Sequence, residues 1–258
     1  MDRQEAIYIE KFGAGSPILV LLHGQGANGD VWHRMRASIE RDWRGACLIP
    51  DLRGHGRSFH RAPYAYGTYA GDVASLIGPE EDVFLVGHSL GGAVAMMLAA
   101  GWFGVRVRGV VAFGVKVNWS AEELARRRQF ATAPLRWFDR REDAIERYLK
   151  VSGQFGLVDP TSPAAASGIA QENGKFRLAA DPRIAGGDDP PDIRPIFAAA
   201  KARVPVRLGV GAKDAMVPIA DARALDADAA IFAEAGHNAH VERPDLVWNV
   251  IMHTTNIF

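Results

Sequence analysis

The chain has 258 residues, enough for one large domain or one domain carrying an insertion. Its 30 Lys and Arg residues balance 30 Asp and Glu residues, which removes any electrostatic argument for a nucleic-acid or membrane-surface partner. Cys47 is the single cysteine, so an intrachain disulfide is excluded; with a polar start (Met1-Asp2-Arg3-Gln4-Glu5) and no run long enough for a bilayer, the expectation is a cytoplasmic protein.

Residues 6–12 read as a strand, closed by Gly13-Ala14-Gly15-Ser16-Pro17. Ile18-Leu19-Val20-Leu21-Leu22 is an unbroken apolar run, the pattern of a strand buried on both faces of a parallel sheet. A helix is expected over 30–41, a strand over 46–49, a helix over 68–77 and a strand over 83–86. The Ala-rich stretch from Gly92 to about Gly101 reads as a helix and 107–115 as a strand. Two further strands, 204–210 and 229–233, precede a helix that begins near Pro244. Strands alternating with helices predict an α/β fold with a mostly parallel sheet. The alternation breaks over 118–203, which shows charged helical segments near 121–130 and 141–151, a Pro/Gly/Asp-rich passage and a helix over 196–201, but no strand-like run. This stretch is read as a helical cap with its return helix, inserted into a core made of 1–117 and 204–258.

The strongest chemical signal is Gly87-His88-Ser89-Leu90-Gly91 between a strand and a helix. Flanking glycines permit a turn so sharp that the serine hydroxyl stands clear of the sheet edge. The helix that follows points unpaired N–H groups at the place where negative charge would develop. A serine hydroxyl is a weak nucleophile at neutral pH and needs a base, and the base needs an acid to orient it. His237 follows the last strand and Asp214 the one before it, so both reach the same sheet edge as Ser89. His23-Gly24-Gln25-Gly26 follows the strand 18–22, and the N–H groups of Gln25 and Leu90 are the candidate oxyanion donors.

These pieces, with Asp51-Leu52-Arg53-Gly54-His55-Gly56-Arg57-Ser58 and Glu242-Arg243-Pro244, make the chain resemble the α/β-hydrolase fold superfamily over nearly its whole length. The resemblance implies a sheet of eight strands or slightly fewer, because the N-terminus is short by one strand. It also implies a helical cap between the sixth and seventh family strands, matching 118–203. The function it implies is serine hydrolysis of a small-molecule ester, with Ser89, Asp214 and His237 as catalytic residues and no cofactor. The same scaffold also serves carbon–carbon hydrolases, thioesterases and lactonases, and some members bind small molecules without turnover.

Competing readings of individual residues are weighed in the same terms. His240 rivals His237, and Asp181, Asp221 and Asp226 rival Asp214; position after a strand favours His237 and Asp214. Gly24-Gln25-Gly26-Ala27-Asn28-Gly29 matches the dinucleotide fingerprint, with Asp51 where a ribose-binding acid would stand. The hydrolase reading accounts for more of the chain and is preferred, leaving the Asp51–Gly56 segment as a structural turn. No metal-ligand spacing is found, and His55, His60 and Cys47 are read as packing or surface residues. Arg126-Arg127-Arg128, Arg136, Arg140 and Arg141 alternate with acidic residues and read as solvated helix faces. Trp119, Phe130, Trp137 and Phe138 are candidates for an apolar substrate pocket beneath the cap; with Tyr148 they would equally form the cap's own core, and both readings stay open.

Overall fold

The computed structural model describes residues 6–186 and 189–255. In chain order the strands are β1 (Ile9–Phe12), β2 (Ile18–Leu22), β3 (Cys47–Pro50), β4 (Asp82–His88), β5 (Arg106–Phe113), β6 (Ile169–Glu172), β7 (Lys175–Leu178), β8 (Val206–Gly211) and β9 (Ala230–Phe232). The helices are α1 (Arg36–Asp42), α2 (Tyr66–Ala74), α3 (Leu90–Ala99), α4 (Ala121–Ala131), α5 (Arg141–Val151), α6 (Pro163–Ala166), α7 (Ile193–Lys201), α8 (Ile219–Leu225), α9 (Ala239–Glu242) and α10 (Pro244–Thr255).

Seven strands form the main sheet in the order β1-β3-β2-β4-β5-β8-β9. Only β1 runs antiparallel, pairing with β3 at the sheet edge. All five residues of β2 are buried. Ile18, Val20 and Leu22 face the apolar layer beneath α2, α3 and α7, while Leu19 and Leu21 face the layer beneath α1 and α10. This two-sided burial is why the run carries no polar alternation. Because the inner strands are parallel, all their C-terminal ends lie along one edge, where loops gather and ligands of open α/β sheets bind.

The segment 118–203 departs from its expected all-helical form. It contains the antiparallel hairpin β6–β7, extended by a bridge between Phe138 and Phe176. Each strand is four residues long and partly exposed, so neither shows an apolar run. Between them Asn173 and Gly174 adopt φ of 49° and 78°, the conformation a two-residue hairpin loop requires. Ile145, Tyr148, Leu149, Val158 and Ala165 form a small separate core that closes against Val241 of α9. The return helix α7 buries Ile193, Ile196, Phe197 and Ala200 in the main core beside α3. Other differences are local: the first expected helix begins as a 3-10 turn over Gly29–Met35, and α6, α8 and α9 are short helices without a periodic signature.

Candidate active site

Ser89 is the one residue between β4 and α3, and its backbone stands at φ 52°, ψ −114°, a conformation unfavourable for a side chain with a Cβ. The surroundings enforce it. The Ser89 N–H donates to Phe113 O at 2.8 Å, continuing the ladder onto β5, while Ser89 O accepts from the N–H groups of Gly92 and Ala93. A Cβ at Gly87 would lie 2.2 Å from Gly91 O, and one at Gly91 would lie 2.2 Å from Leu22 O. Only glycine fits either position. Leu90 opens α3, so helical bonding leaves its N–H without an acceptor.

His237 and Asp214 meet beside this turn. His237 Nδ1 lies 2.8 Å from Asp214 Oδ2, and the Asp214 side chain is fully buried. Asp214 Oδ1 accepts from the N–H groups of Met216 and Val217 at 2.8 and 3.1 Å, which locks the carboxylate's orientation. A carboxylate accepts only, so Nδ1 of His237 is the donor and Nε2 retains its lone pair. His88 fastens the histidine loop to the serine turn: its Nε2–H donates to His237 O at 2.9 Å, and the two rings meet edge to face with centroids 4.6 Å apart. Burial holds His88 neutral, driving its pKa well below the usual histidine value.

The third loop is His23-Gly24-Gln25-Gly26. His23 donates from Nδ1 to Gly24 O at 2.8 Å and accepts at Nε2 from Leu52 N–H at 2.9 Å, so burial and the bond accepted at Nε2 keep it neutral. Gly24 presses on the serine turn; a Cβ there would lie 2.8 Å from His88 Nδ1 and 3.4 Å from Ser89 Cβ. Among the described residues the Gln25 N–H has no acceptor. The structure thus brings Ser89, Asp214, His237, Gln25 and Leu90 to one sheet edge.

The rival residues have other occupations. His240 is fully buried, its ring packed against Trp32, His88 and Phe113. Asp181 bonds Tyr64 and Arg183, and Asp226 pairs with Lys201. Asp51 is fully buried and accepts from the backbones of Gly29 and Arg57, so it clamps two loops. His55, also fully buried, donates to Arg53 O. The Cys47 thiol is buried, with its pKa pushed up to about 12, which makes it inert.

Of the aromatic candidates, Trp119 is linked to this edge through Arg127. Arg127 covers it at 4.9 Å and also donates to Gln25 Oε1 at 3.0 Å. Phe138 belongs to the cap's strand pairing, Trp137 lies under Arg177 of the hairpin, and Phe130 is exposed on α4. Three neighbours of the site escaped sequence reasoning. Arg127 sat inside a run that reads as solvated. Val151, next to Gly26, lies off the buried stripe of α5. Asn238, whose Nδ2 donates to Gly153 O at 3.0 Å, carried no pattern at all. A cavity of about 920 Å³ lies elsewhere: Pro205, Arg207 and Ile231 line it at the end where β8 and β9 begin. Among the described residues no His, Cys, Asp or Glu cluster is arranged to hold a metal, and no helix is long and apolar enough to cross a membrane.

Residues 19–250 match the family model for the alpha/beta hydrolase family. The chain belongs to this family. This alpha/beta hydrolase is 34% identical to "Lipase LipV" of Mycobacterium tuberculosis over 157 residues, covering 60% of this chain and 58% of that protein. It is 40% identical to the pimeloyl-[acyl-carrier protein] methyl ester esterase of Aeromonas hydrophila over 96 residues, 36% of each chain. The alignments therefore span less than two thirds of these relatives. In fold the chain is similar to E-2-(acetamidomethylene)succinate hydrolase, with a TM-score of 0.78, 22% identity and coverage of 97% and 95% of the two chains. It is also similar to a thioesterase domain from the curacin biosynthetic pathway, with a TM-score of 0.75, 19% identity and coverage of 96% and 95%.

Proposed function

We propose that this alpha/beta hydrolase cleaves small-molecule carboxylic esters through an acyl-enzyme on Ser89. The observation that carries the reading is a strained serine at the same sheet edge as a histidine–carboxylate pair: Ser89 at φ 52°, with His237 Nδ1 2.8 Å from Asp214. His237 Nε2 takes the hydroxyl proton as Ser89 Oγ attacks the ester carbonyl, and Asp214 stabilises the resulting imidazolium. The oxyanion is held by the N–H groups of Gln25 and Leu90. The protonated imidazole then gives its proton to the departing alcohol. A water, deprotonated by the same nitrogen, attacks the acyl-enzyme and releases the acid and Ser89. The lipase and methyl ester esterase among its relatives agree with ester chemistry.

The test is labelling with a fluorophosphonate probe beside turnover of p-nitrophenyl esters from acetate to decanoate. Wild-type protein is expected to label and turn over. Ser89→Ala is expected to lose labelling and to lower kcat by roughly 10⁴-fold or more, with an unchanged folded signal. Undiminished turnover by purified Ser89→Ala would sink the reading.

A further inference from the structure

We infer that Arg127 selects esters carrying a carboxylate of their own; this names the substrate class of the site and rests on the ester-hydrolase reading above. The three consecutive arginines of α4 have different fates. Arg126 pairs with Glu122 and Arg128 with Asp189, both with exposed side chains. Arg127 points the other way and is half-buried. Its Nη1 donates to Gln25 Oε1 at 3.0 Å, and its guanidinium stacks over Trp119. Among the described residues no Asp or Glu pairs with it.

A guanidinium has five N–H donors, and the Gln25 amide meets it with a single neutral oxygen. A half-buried cation with no counter-charge is poorly compensated. A carboxylate is the anion whose two oxygens match the guanidinium fork. The location turns that mismatch into a substrate preference. Gln25 supplies a proposed oxyanion N–H, and the preceding Gly24 lies against Ser89. The cation is therefore tied, through the Gln25 side chain, to the residue whose N–H is proposed to hold the acyl oxygen. Lys116 also faces Trp119, at 5.1 Å, but it is ion-paired with Glu123, whose carboxyl is held down at about 2, chiefly by that bond. Arg127 is left as the cation able to receive a substrate anion. Monoesters of short dicarboxylic acids place a carboxylate a few bonds from the scissile carbonyl and meet this requirement.

Binding can be measured apart from turnover in Ser89→Ala protein. Monomethyl glutarate and monomethyl adipate would be titrated calorimetrically beside their neutral dimethyl esters, with acetoxyacetate carrying the carboxylate on the alcohol side. At least one anionic ester is expected to bind about 10- to 100-fold tighter than the neutral diesters. That preference should vanish when Arg127→Gln is added and survive with Arg126→Gln. Equal binding of anionic and neutral esters, or a preference that persists in Arg127→Gln, overturns the inference. Failure of the ester-hydrolase reading would register separately, as wild-type protein that does not label with fluorophosphonate.

Discussion

At the scale of single residues the site is a set of hydrogen bonds that leave little freedom. Asp214 receives two backbone N–H groups and the His237 imidazole, so its carboxylate cannot rotate without losing a partner. His88 plays a different part, as a positioning residue that acts through the His237 backbone. Replacing it with Phe would keep the ring packing and leave the His237 carbonyl without its donor. That loss is worth about 1–3 kcal/mol. His88→Phe is therefore expected to lower kcat about tenfold, with a smaller change in KM. His88→Gln, which restores an N–H donor, should recover part of the loss. Equal kcat in the two variants would show that His88 serves packing alone. Arg127 belongs to this scale too. Its sequence context, Arg126-Arg127-Arg128 among glutamates, is that of a solvated face, and only the direction of one side chain distinguishes it from its neighbours.

At the scale of elements, legibility tracked burial. The core strands β2, β4, β5 and β8 are apolar because both their faces are covered, so continuous runs betrayed them. Ser89 and Asp214 follow two of these strands, β4 and β8, and His237 follows the short edge strand β9, so position after a strand made all three candidates. The β6–β7 hairpin stayed hidden because the two strands hold Gln171, Glu172, Lys175 and Arg177, a polar content that masks strand periodicity. The Asn173-Gly174 turn was its one local signal. Glycines mark the contrast in energy. Gly91 is enclosed by backbone, whereas Gly174 has nothing within 4 Å of a built Cβ and needs only its positive φ. Gly91→Ala is expected to cost about 2–4 kcal/mol in urea unfolding and to abolish turnover. Gly174→Ala should cost about 1–2 kcal/mol and leave kcat near wild type. Comparable stability losses for both would refute the enclosure argument.

At the scale of the whole molecule, the three site loops share a device that links stability to pH. Each contributes a buried histidine: His23 from the first loop, His88 from the serine turn and His240 just beyond His237. His55 packs edge-on against His23, and His240 lies 4.7 Å from His88 between ring centroids. Burial lowers the pKa of all four, and brings His55 and His240 to about 3. An unfolded histidine takes up a proton near 6.5, whereas these stay neutral in the fold. Between those values the unfolded chain binds more protons, so stability is full above about pH 6.5 and falls as the pH drops. The slope is about 1.4 kcal/mol per pH unit for each such histidine. His240 isolates the effect, because both its ring nitrogens are buried without partners among the described residues and its contacts are ring stacks that Phe can reproduce. His240→Phe should therefore gain on wild type as the medium becomes acidic. The difference in unfolding free energy is expected to shift in the variant's favour by about 2 kcal/mol between pH 8 and pH 5. Urea titrations at the two pH values measure it directly, and an identical difference at both would mean that His240 already carries a proton in the folded protein or never gains one on unfolding.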